Sequence, residues 1–495
     1  MIKKILFLAA FISVQLGFAQ NDIDAMRYSQ TAAYGDARFT AMAGSFGALG
    51  ANLSCMNFNP AGIAMYRNGE FVFTPAIKLQ ASNSDHYGTS TADGFGRLNV
   101  SNIGFIKAWD SKNTYPPGSK QYSDFNQRNA IGISFNRLAD FNSQTTIEGH
   151  PDNSSIINDF VNSAQGYYPS KLNSTYEWLA YQTYLINPMS NSDSSHYWGM
   201  MLPNTPLKQV KTIKERGRMG EFAFSYAHAF SDKFYLGATL SRVGVTYTRE
   251  STYQEIDDKS QIWPFKSLTY NEKLMTTGKG FNLKIGGIYR VNESLRLGAY
   301  IHTPTVLKLS DTYQYNMTST YDTSITSQGT DYYAESSGSF NYSITTPARF
   351  GGSACYIYKK LFAINADAEF LNYGSAKMHD ADKLLDEINL TIASKYKSTT
   401  NLRVGAEFNI RPVVIRVGYA SYGSPFGQSF SGKFVRTTYS GGVGFRGPRN
   451  VYVDLGLMYT QWQDEYYLFD AKYVNASQIS NGVVYFTATL GVKFN

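Results

Sequence analysis

Six histidines, two cysteines and a set of charges inside alternating apolar stretches are the residues of this 495-residue chain that could do chemistry. His86, His150, His196, His228, His302 and His379 are scattered, and none stands at the paired spacing of a metal site. No metal ligand set and no cofactor motif is expected. Asp367 and Glu369 share a face and would suit general acid–base work if a third group converged on them; charge balance explains them without chemistry. Nothing sets a nucleophile beside a base, so no catalytic residue is expected and the chain reads as a non-enzyme. Lys284, Arg403 and Arg416 could each attract a carboxylate head group in a pocket of low dielectric, or pair with Asp367, Glu369, Glu407 or Asp454. Cys55 and Cys355 admit two readings, a disulfide or two small buried hydrophobes. Gly44, Gly47 and Gly50 lack the strand before and helix after that a phosphate loop requires.

The elements that must position these residues are strands. Only 17% of the chain is charged, against roughly a quarter in an ordinary soluble domain, while 15% is aromatic and Gly and Tyr number 42 and 38. Mean hydropathy is −0.30, and no apolar run beyond the first 20 residues approaches the ~18 that a membrane helix needs. The formal charge of +7 comes from scattered basic residues, which argues against nucleic acid as a partner. At the start, Lys3 and Lys4, an apolar stretch from Ile5 to Val14, and Gly17-Phe18-Ala19 read as a secretory signal peptide over 1–19. No Cys follows it, so a lipid anchor is not expected.

From about residue 219 the chain alternates with period two. Leu402, Val404, Ala406, Phe408 and Ile410 oppose Asn401, Arg403, Gly405, Glu407 and Asn409. The stretch from Val413 to Ala420 and those of Val451–Thr460 and Val484–Phe494 behave alike. These segments run about 10–15 residues, long enough to cross a bilayer at a tilt. Their polar faces carry Lys284, Arg290, Asp367, Glu369, Arg403, Glu407, Arg416 and Asp454 in mid-strand. A sealed core would not tolerate so many charges; a wet lumen would.

Fourteen strands are expected, at 69–81, 96–110, 128–142, 219–230, 233–250, 274–291, 294–315, 338–358, 361–373, 398–410, 412–421, 435–446, 450–463 and 482–494. Tight turns at Ser231-Asp232, Asn292-Glu293, Lys359-Lys360, Arg411 and Gly447-Pro448-Arg449 alternate with long connections at 143–218, 251–273, 316–337, 374–397, 422–434 and 464–481. That alternation is the pattern of an outer-membrane barrel. The expected fold is all-β, a 14-stranded antiparallel transmembrane β-barrel over 69–495, following a signal peptide (1–19) and an N-terminal hatch (20–68) inside the lumen. Trp109, Tyr247, Tyr289, Tyr373, Tyr459 and Trp462 are expected in interfacial girdles. Phe494 closes the last strand as a signal for the barrel-assembly machinery does, although Asn495 follows it. The setting implied is outer-membrane lipid of a Gram-negative bacterium, as a monomer.

Residues 22–68 do not alternate. Their small-residue run, Ala41-Met42-Ala43-Gly44-Ser45-Phe46-Gly47-Ala48-Leu49-Gly50, leads to the turn Asn59-Pro60-Ala61-Gly62, which suits a compact plug. Arg38–Gly50 together with Asn59-Pro60-Ala61-Gly62 resembles the hatch of the FadL/TodX family of outer-membrane transporters. Thr346-Pro347-Ala348-Arg349-Phe350, Asp367-Ala368-Glu369-Phe370 with Tyr373, and Asn401–Glu407 resemble its Bacteroidetes-type members, often labelled hemin receptors. The resemblance covers nearly the whole chain after the leader. It implies uptake of hydrophobic small molecules such as long-chain fatty acids and aromatic hydrocarbons. Capture on extracellular loops, a lumenal pocket above the hatch, and lateral release through a kinked third strand would follow. That strand corresponds to about 128–141, with Gly132 and Asn136 as candidates for weak pairing. Haem uptake and an adaptor role in type IX secretion are the rival functions. Haem would take a His or Tyr ligand, and the histidines give it no positive signal.

Two groups of apolar residues could contact a ligand. Tyr176, Trp178, Leu179, Tyr181, Tyr184 and Leu185 concentrate apolar surface in the longest connection, as a capture groove or as loop packing. Phe39, Met42, Phe46, Leu49, Phe58 and Ile63 would either floor a lumenal pocket or seat the plug.

Overall fold

The computed structural model describes residues 21–111, 127–190, 192, 194–200, 205–326, 329–410, 412–427, 434–448 and 450–494. The expected leader, Arg411, Arg449 and Asn495 lie outside the described residues. Among the described residues, no helix is long and apolar enough to cross a membrane, and the chain crosses with strands.

Fourteen antiparallel strands form one barrel. They are β1 (Gly69–His86), β2 (Thr89–Asp110), β3 (Arg128–Asp140, continued by Ser143–Gly149), β4 (Lys208–Ala229), β5 (Phe234–Ile256), β6 (Phe265–Arg290) and β7 (Leu295–His302 and Val306–Tyr321). The second half comprises β8 (Asp331–Thr345 and Arg349–Tyr358), β9 (Phe362–Asn372 and Lys377–His379), β10 (Ser398–Ile410), β11 (Val413–Tyr422), β12 (Arg436–Arg446), β13 (Val451–Tyr466) and β14 (Ser477–Phe494). The sheet closes where β1 pairs with β14, from Gly69 opposite Phe494 to Asp85 opposite Gln478. Closure satisfies the backbone groups that lipid cannot.

Alternation assigns the faces. Phe222, Phe224, Leu236, Leu240, Leu283, Ile285, Leu402, Val404, Ile415, Val417 and Leu490 are exposed on the outer wall, while Thr239, Ser241, Asn365, Asp367, Arg403, Arg416 and Thr489 are buried inside. The hatch fills much of the lumen at this level. The lumenal charges are sealed against one another and against the hatch.

Higher on the same strands the polarity inverts. On β5 the outward residues pass from Leu236 and Leu240 to Arg242, and the inward ones from Thr239 and Ser241 to Val243 and Val245. On β7 the break at Thr303-Pro304-Thr305 shifts the parity, so that Leu307 and Leu309 turn inward while Lys308 and Ser310 face out. At this level the outer faces of these two strands are polar, as expected of a wall that has left the bilayer, and their inner faces bury Val243, Val245, Leu307 and Leu309 beside polar residues such as Asp311.

The strands outrun the expected boundaries for the same reason. β6 has 26 residues, on the order of 80 Å of chain at about 3.3 Å per residue, so its outer end stands well clear of the membrane. Some of the expected long connections are largely strand: the stretch 251–273 contains only the short loop 257–264, while 374–397 keeps only Lys377–His379 in the sheet. The stretch 82–95 forms a tight hairpin turning at Tyr87-Gly88. The described residues of the connection 150–207 form a folded cap. Its helices α3 (Ile156–Ala164) and α4 (Glu177–Gln182) and a small hairpin (Ile186–Pro188 with Tyr197–Gly199) pack into the tall sheet.

The girdle expectation needs correction at the strand ends. Trp109, Tyr289 and Tyr459 are exposed on the wall. Tyr247 and Tyr373 are instead buried in the lumen, and Trp462 lines a lumenal cavity. An aromatic at a strand end faces lipid or lumen according to register, which composition does not reveal.

Candidate functional site: the hatch, two cavities and a break in the wall

The hatch consists of helix α1 (Asp22–Ser29), helix α2 (Ala37–Ala41) and two 3-10 turns, Leu53–Asn57 and Pro60–Met65. Polar side chains cap each of them. Asn21, Asp36, Asn52 and Asn59 accept from the first backbone amides, as short helices require. Asn59 also donates through Nδ2 to Gly47 O (2.6 Å) and to Gly287 O of β6 (3.1 Å), joining two hatch turns to the wall. Pro60 occupies the first helical position, where its missing N–H costs nothing. Ala61 and Gly62 are fully packed; a Cβ on Gly62 would sit 2.8 Å from Cys55 Sγ.

Inward-facing glycines make room for the hatch around the wall. A Cβ on Gly286 would lie 2.0 Å from Asn59 Oδ1, and one on Gly298 2.3 Å from Gly47 O. Gly132, Gly237, Gly405, Gly418, Gly442 and Gly456 face hatch atoms similarly closely. Part of the chain's glycine content is therefore a seat for the plug rather than turn chemistry.

Charge fixes the plug in that seat. Asp367 accepts from Phe46 N (2.9 Å) and Gly47 N (3.1 Å). Arg38 forks onto Glu407 (2.8 and 2.9 Å), which also accepts from Arg416 Nε (2.6 Å). Arg416 continues to Asp454 (2.9 Å), which takes Arg446 as well (3.0 Å). Buried chains of this kind tolerate no missing member, since one orphaned charge costs about 3–5 kcal/mol.

The lumenal-floor residues divide between two environments. Phe39 and Phe58 line a cavity, while Met42, Phe46, Leu49 and Ile63 are packed within the apolar cluster of hatch and wall. Of the proposed head-group residues, Lys284 and Arg403 line the same cavity and Arg416 does not. Lys284 is paired with Glu221 (2.5 Å). Arg403 is paired with Glu369 (3.3 Å), and its guanidinium lies 4.1 Å from the Phe58 ring centre. This cavity, cavity 1, encloses about 830 Å³ including its open mouth, and Glu221, His302, Arg349, Arg137 and Leu138 complete its functional lining. His302 Nε2 donates to Phe58 O (2.7 Å). The other histidines line neither described cavity, and among the described residues no group of His, Cys, Asp and Glu could hold a metal ion. Cys55 and Cys355 are both free and buried.

Cavity 1 reaches an interruption in the barrel. β2 and β3 pair from Asp110 with Arg128 up to Asn102 with Asn136, and there the ladder stops. Each strand carries one extra residue at that point. Ser101 is skipped in the pairing of β2 with β1, and Leu138 in the pairing of β3 with β4. Such bulges bend a strand and free its backbone groups. Here the hatch engages both extra residues: the Ser101 side chain donates through Oγ to Gly35 O (2.7 Å), and the freed backbone Leu138 O accepts from Ala32 N (2.9 Å). Opposite the break on β4, Gly217 holds a φ of +131°, where a side chain would be strained.

Above its break, β3 swings onto the inner face of β1. Lys78 Nζ binds Asp140 Oδ1 (3.2 Å) and Asn142 O (2.7 Å), while Ser82 and Ser84 donate to Gln144 O and Thr146 O. Among the described residues no backbone–backbone bond then spans the gap to β2, which is bridged through side chains, including Arg137 to Val100 O (3.2 Å) and Arg97 to Asn142 (2.8 Å). The irregular stretch falls within the range 128–141 noted from sequence; of the two candidates, Gly132 lies where the ladder is intact, while Asn136 is the last β3 residue paired with β2, two residues before the bulge at Leu138.

The candidate capture residues lie in the cap. Leu179 and Leu185 are fully buried in its core, and Tyr176, Trp178, Tyr181 and Tyr184 pack against that core with part of their surface open. Tyr176 donates to Asp159 (2.6 Å). Burial holds the Asp159 and Glu177 carboxyls above the usual carboxylate range.

Several of these residues carried no sequence signal. Glu221 alternates like any polar lumen residue, and Ser101, Arg137 and Leu138 sit in ordinary strand sequence. Arg349 was present in the Thr346–Phe350 stretch but without a role.

Among solved structures, a FadL homologue from Pseudomonas aeruginosa superposes with a TM-score of 0.54 at 12% identity, covering 94% of this chain and 100% of that one. The chain has the FadL/TodX fold. The toluene transporter TodX of P. putida superposes with a TM-score of 0.52 at 10% identity, covering 94% of this chain and 99% of the transporter. No protein-family model and no curated protein matches the chain. The FadL/TodX fold is thus carried by a sequence that keeps about one residue in ten of either structure.

Proposed function

We propose that the chain is an outer-membrane channel for uptake of hydrophobic small molecules, long-chain fatty acids and monoaromatic hydrocarbons being the substrate classes. The observation that carries this reading is the meeting of cavity 1 with the break between β2 and β3. Irregular backbone at membrane depth is tolerated where it lines a cavity, and here it gives that cavity a side exit. Apolar molecules gather at the open faces of Trp178 and Tyr181 on the cap and settle in cavity 1 against Phe39 and Phe58. They leave sideways into lipid when the 32–35 segment releases Ser101 and Leu138. Release into acyl chains avoids the cost of returning an apolar molecule to water. A fatty-acid carboxylate would compete with Glu221 and Glu369 for Lys284 and Arg403, with Arg349 beside them. The 1–19 leader would direct export, and the barrel-assembly machinery would insert the chain.

The test is uptake of radiolabelled oleate by cells that lack their own fatty-acid channel and express this chain. Deleting Leu138 removes the extra residue, brings β3 into register with β4, and takes away the acceptor of Ala32 N–H. Uptake is expected to fall to the level of cells without the chain while the folded barrel, read by its heat-modifiable gel mobility, remains. Unchanged uptake by a folded deletion variant would overturn the lateral route.

A further inference from the structure

A second cavity lies on the far side of the hatch segment 31–33 from the wall break. Cavity 2 encloses about 700 Å³ including its mouth, within the usual range of small-molecule sites, and Tyr373, Tyr422, Phe426, Phe434, Trp462 and Met458 line it. Tyr422 ends β11, Phe434 stands two residues before β12, and Trp462 belongs to the outward end of β13, so the cavity sits toward the extracellular rim. Thr31, Ala32 and Ala33 line both cavities and form the partition between them.

The two chambers differ in chemistry. Cavity 1 presents Lys284, Arg349, Arg403, Glu221 and Glu369. Cavity 2 presents five aromatic rings, and its polar groups are engaged with one another. Arg436 donates to Gln30 Oε1, and its guanidinium lies 5.4 Å from the Trp462 ring centre. Trp462 Nε1 donates to Asp464 (2.6 Å), which also accepts from Asn481 (3.0 Å). A carboxylate head would have to break this set to gain a partner, and Asp464 would repel it. Aromatic and thioether surfaces instead offer face and edge contacts to a flat apolar ring.

We propose that cavity 2 is an outer waiting site that binds a small uncharged aromatic molecule before it passes the Thr31–Ala33 partition into cavity 1. The assignment presupposes uptake of apolar molecules through this lumen and adds a second site and its preference. Passage requires the partition to yield. Its ties are the Gln30–Arg436 contact on one side and Ala32 N–H to Leu138 O on the other.

Trp462 supplies the readout. A variant with Trp109, Trp178, Trp198 and Trp263 changed to Phe leaves Trp462 as the sole tryptophan, and a second variant keeps only the lipid-facing Trp109. With bromobenzene as the quencher, Trp462 emission should fall saturably and Trp109 emission linearly, as expected for simple partitioning into detergent. Toluene should restore Trp462 emission and laurate should not, and Met458→Gln should weaken the saturable phase several-fold. Linear quenching at Trp462, or recovery with laurate equal to that with toluene, would overturn the site. Uptake by the wild-type chain without saturable quenching removes only cavity 2 from the account. Saturable quenching without uptake keeps the site and removes transport.

Discussion

Asp367 shows how one lumenal carboxylate decides whether the barrel is closed. It receives two hatch amides, Phe46 N and Gly47 N, at the point where the plug meets β9. Changing it to Ala leaves both amides buried without partners, at about 1–3 kcal/mol each. Frequent open-channel events should follow in planar lipid bilayers, where the wild-type chain is expected to stay closed. Gly298→Val attacks the same seat sterically. Its Cβ would meet Gly47 O at 2.3 Å, an overpacking cost of about 1–3 kcal/mol. The hatch of that variant should be cut by trypsin at Arg38, which is shielded by Glu407 in the native seat. At this scale, sequence conveyed the charges but not their partners. Arg403 and Glu407 were legible as lumen-facing from the period-two pattern. That Arg403 would sit over Phe58 and Glu407 would clasp Arg38 depends on contacts between segments hundreds of residues apart.

At the scale of elements, the strands were legible and their irregularities were not. Alternation from Leu402 to Ile410 places each residue on its observed face, because a half-buried strand writes its two environments into the sequence. Ser101 and Leu138 are single extra residues in otherwise regular strands. A bulge is defined by the partner's register, and no residue type announces it. The outer ends of β5 to β8 were read as loops because their faces exchange polarity above the membrane, so the expected lipid-facing signature fades where the strand continues.

The cap makes a prediction at this scale. Asp159 and Glu177 are held by burial above their ordinary values of 3.8 and 4.5. Groups with raised folded-state values bind protons more tightly in the folded cap than in the opened one. Their contribution is therefore fully present below those ordinary values and is lost as pH rises through the raised ones. Amide-exchange protection of α3 and α4, corrected for intrinsic rates, should decline from acid toward neutral pH. Asp159→Asn should flatten the part of that decline that Asp159 contributes.

Over the whole molecule, the barrel solves two solvent problems with one set of strands. In the bilayer it is apolar outside and held by ion pairs inside; above the bilayer the wall turns polar outside and buries apolar clusters within, beside polar residues such as Lys211, Glu255 and Asp311. The proposed path of an apolar molecule runs from the cap to cavity 1, above a charged, plugged floor. The break between β2 and β3 lies beside that path, and the same hatch segment that grips both of its bulges also divides the two cavities. Fold class, strand number and the presence of a plug were readable because they rest on composition and period. The path was not, because it is lined by residues from the hatch and many separate strands.

The central claim, that cargo leaves through the wall, is tested most directly by closing the wall reversibly. Arg97 and Asn142 face each other across the gap at 2.8 Å between side-chain atoms, and cysteines at both positions can be joined by a short dithiol-reactive bridge. The native thiols should not interfere, since both are buried and burial pushes Cys55 up to about 12. Oleate uptake by cells carrying the bridged variant should stop and should return when a reductant opens the bridge. Uptake that continues at the unbridged rate with the gap covalently closed would contradict the account.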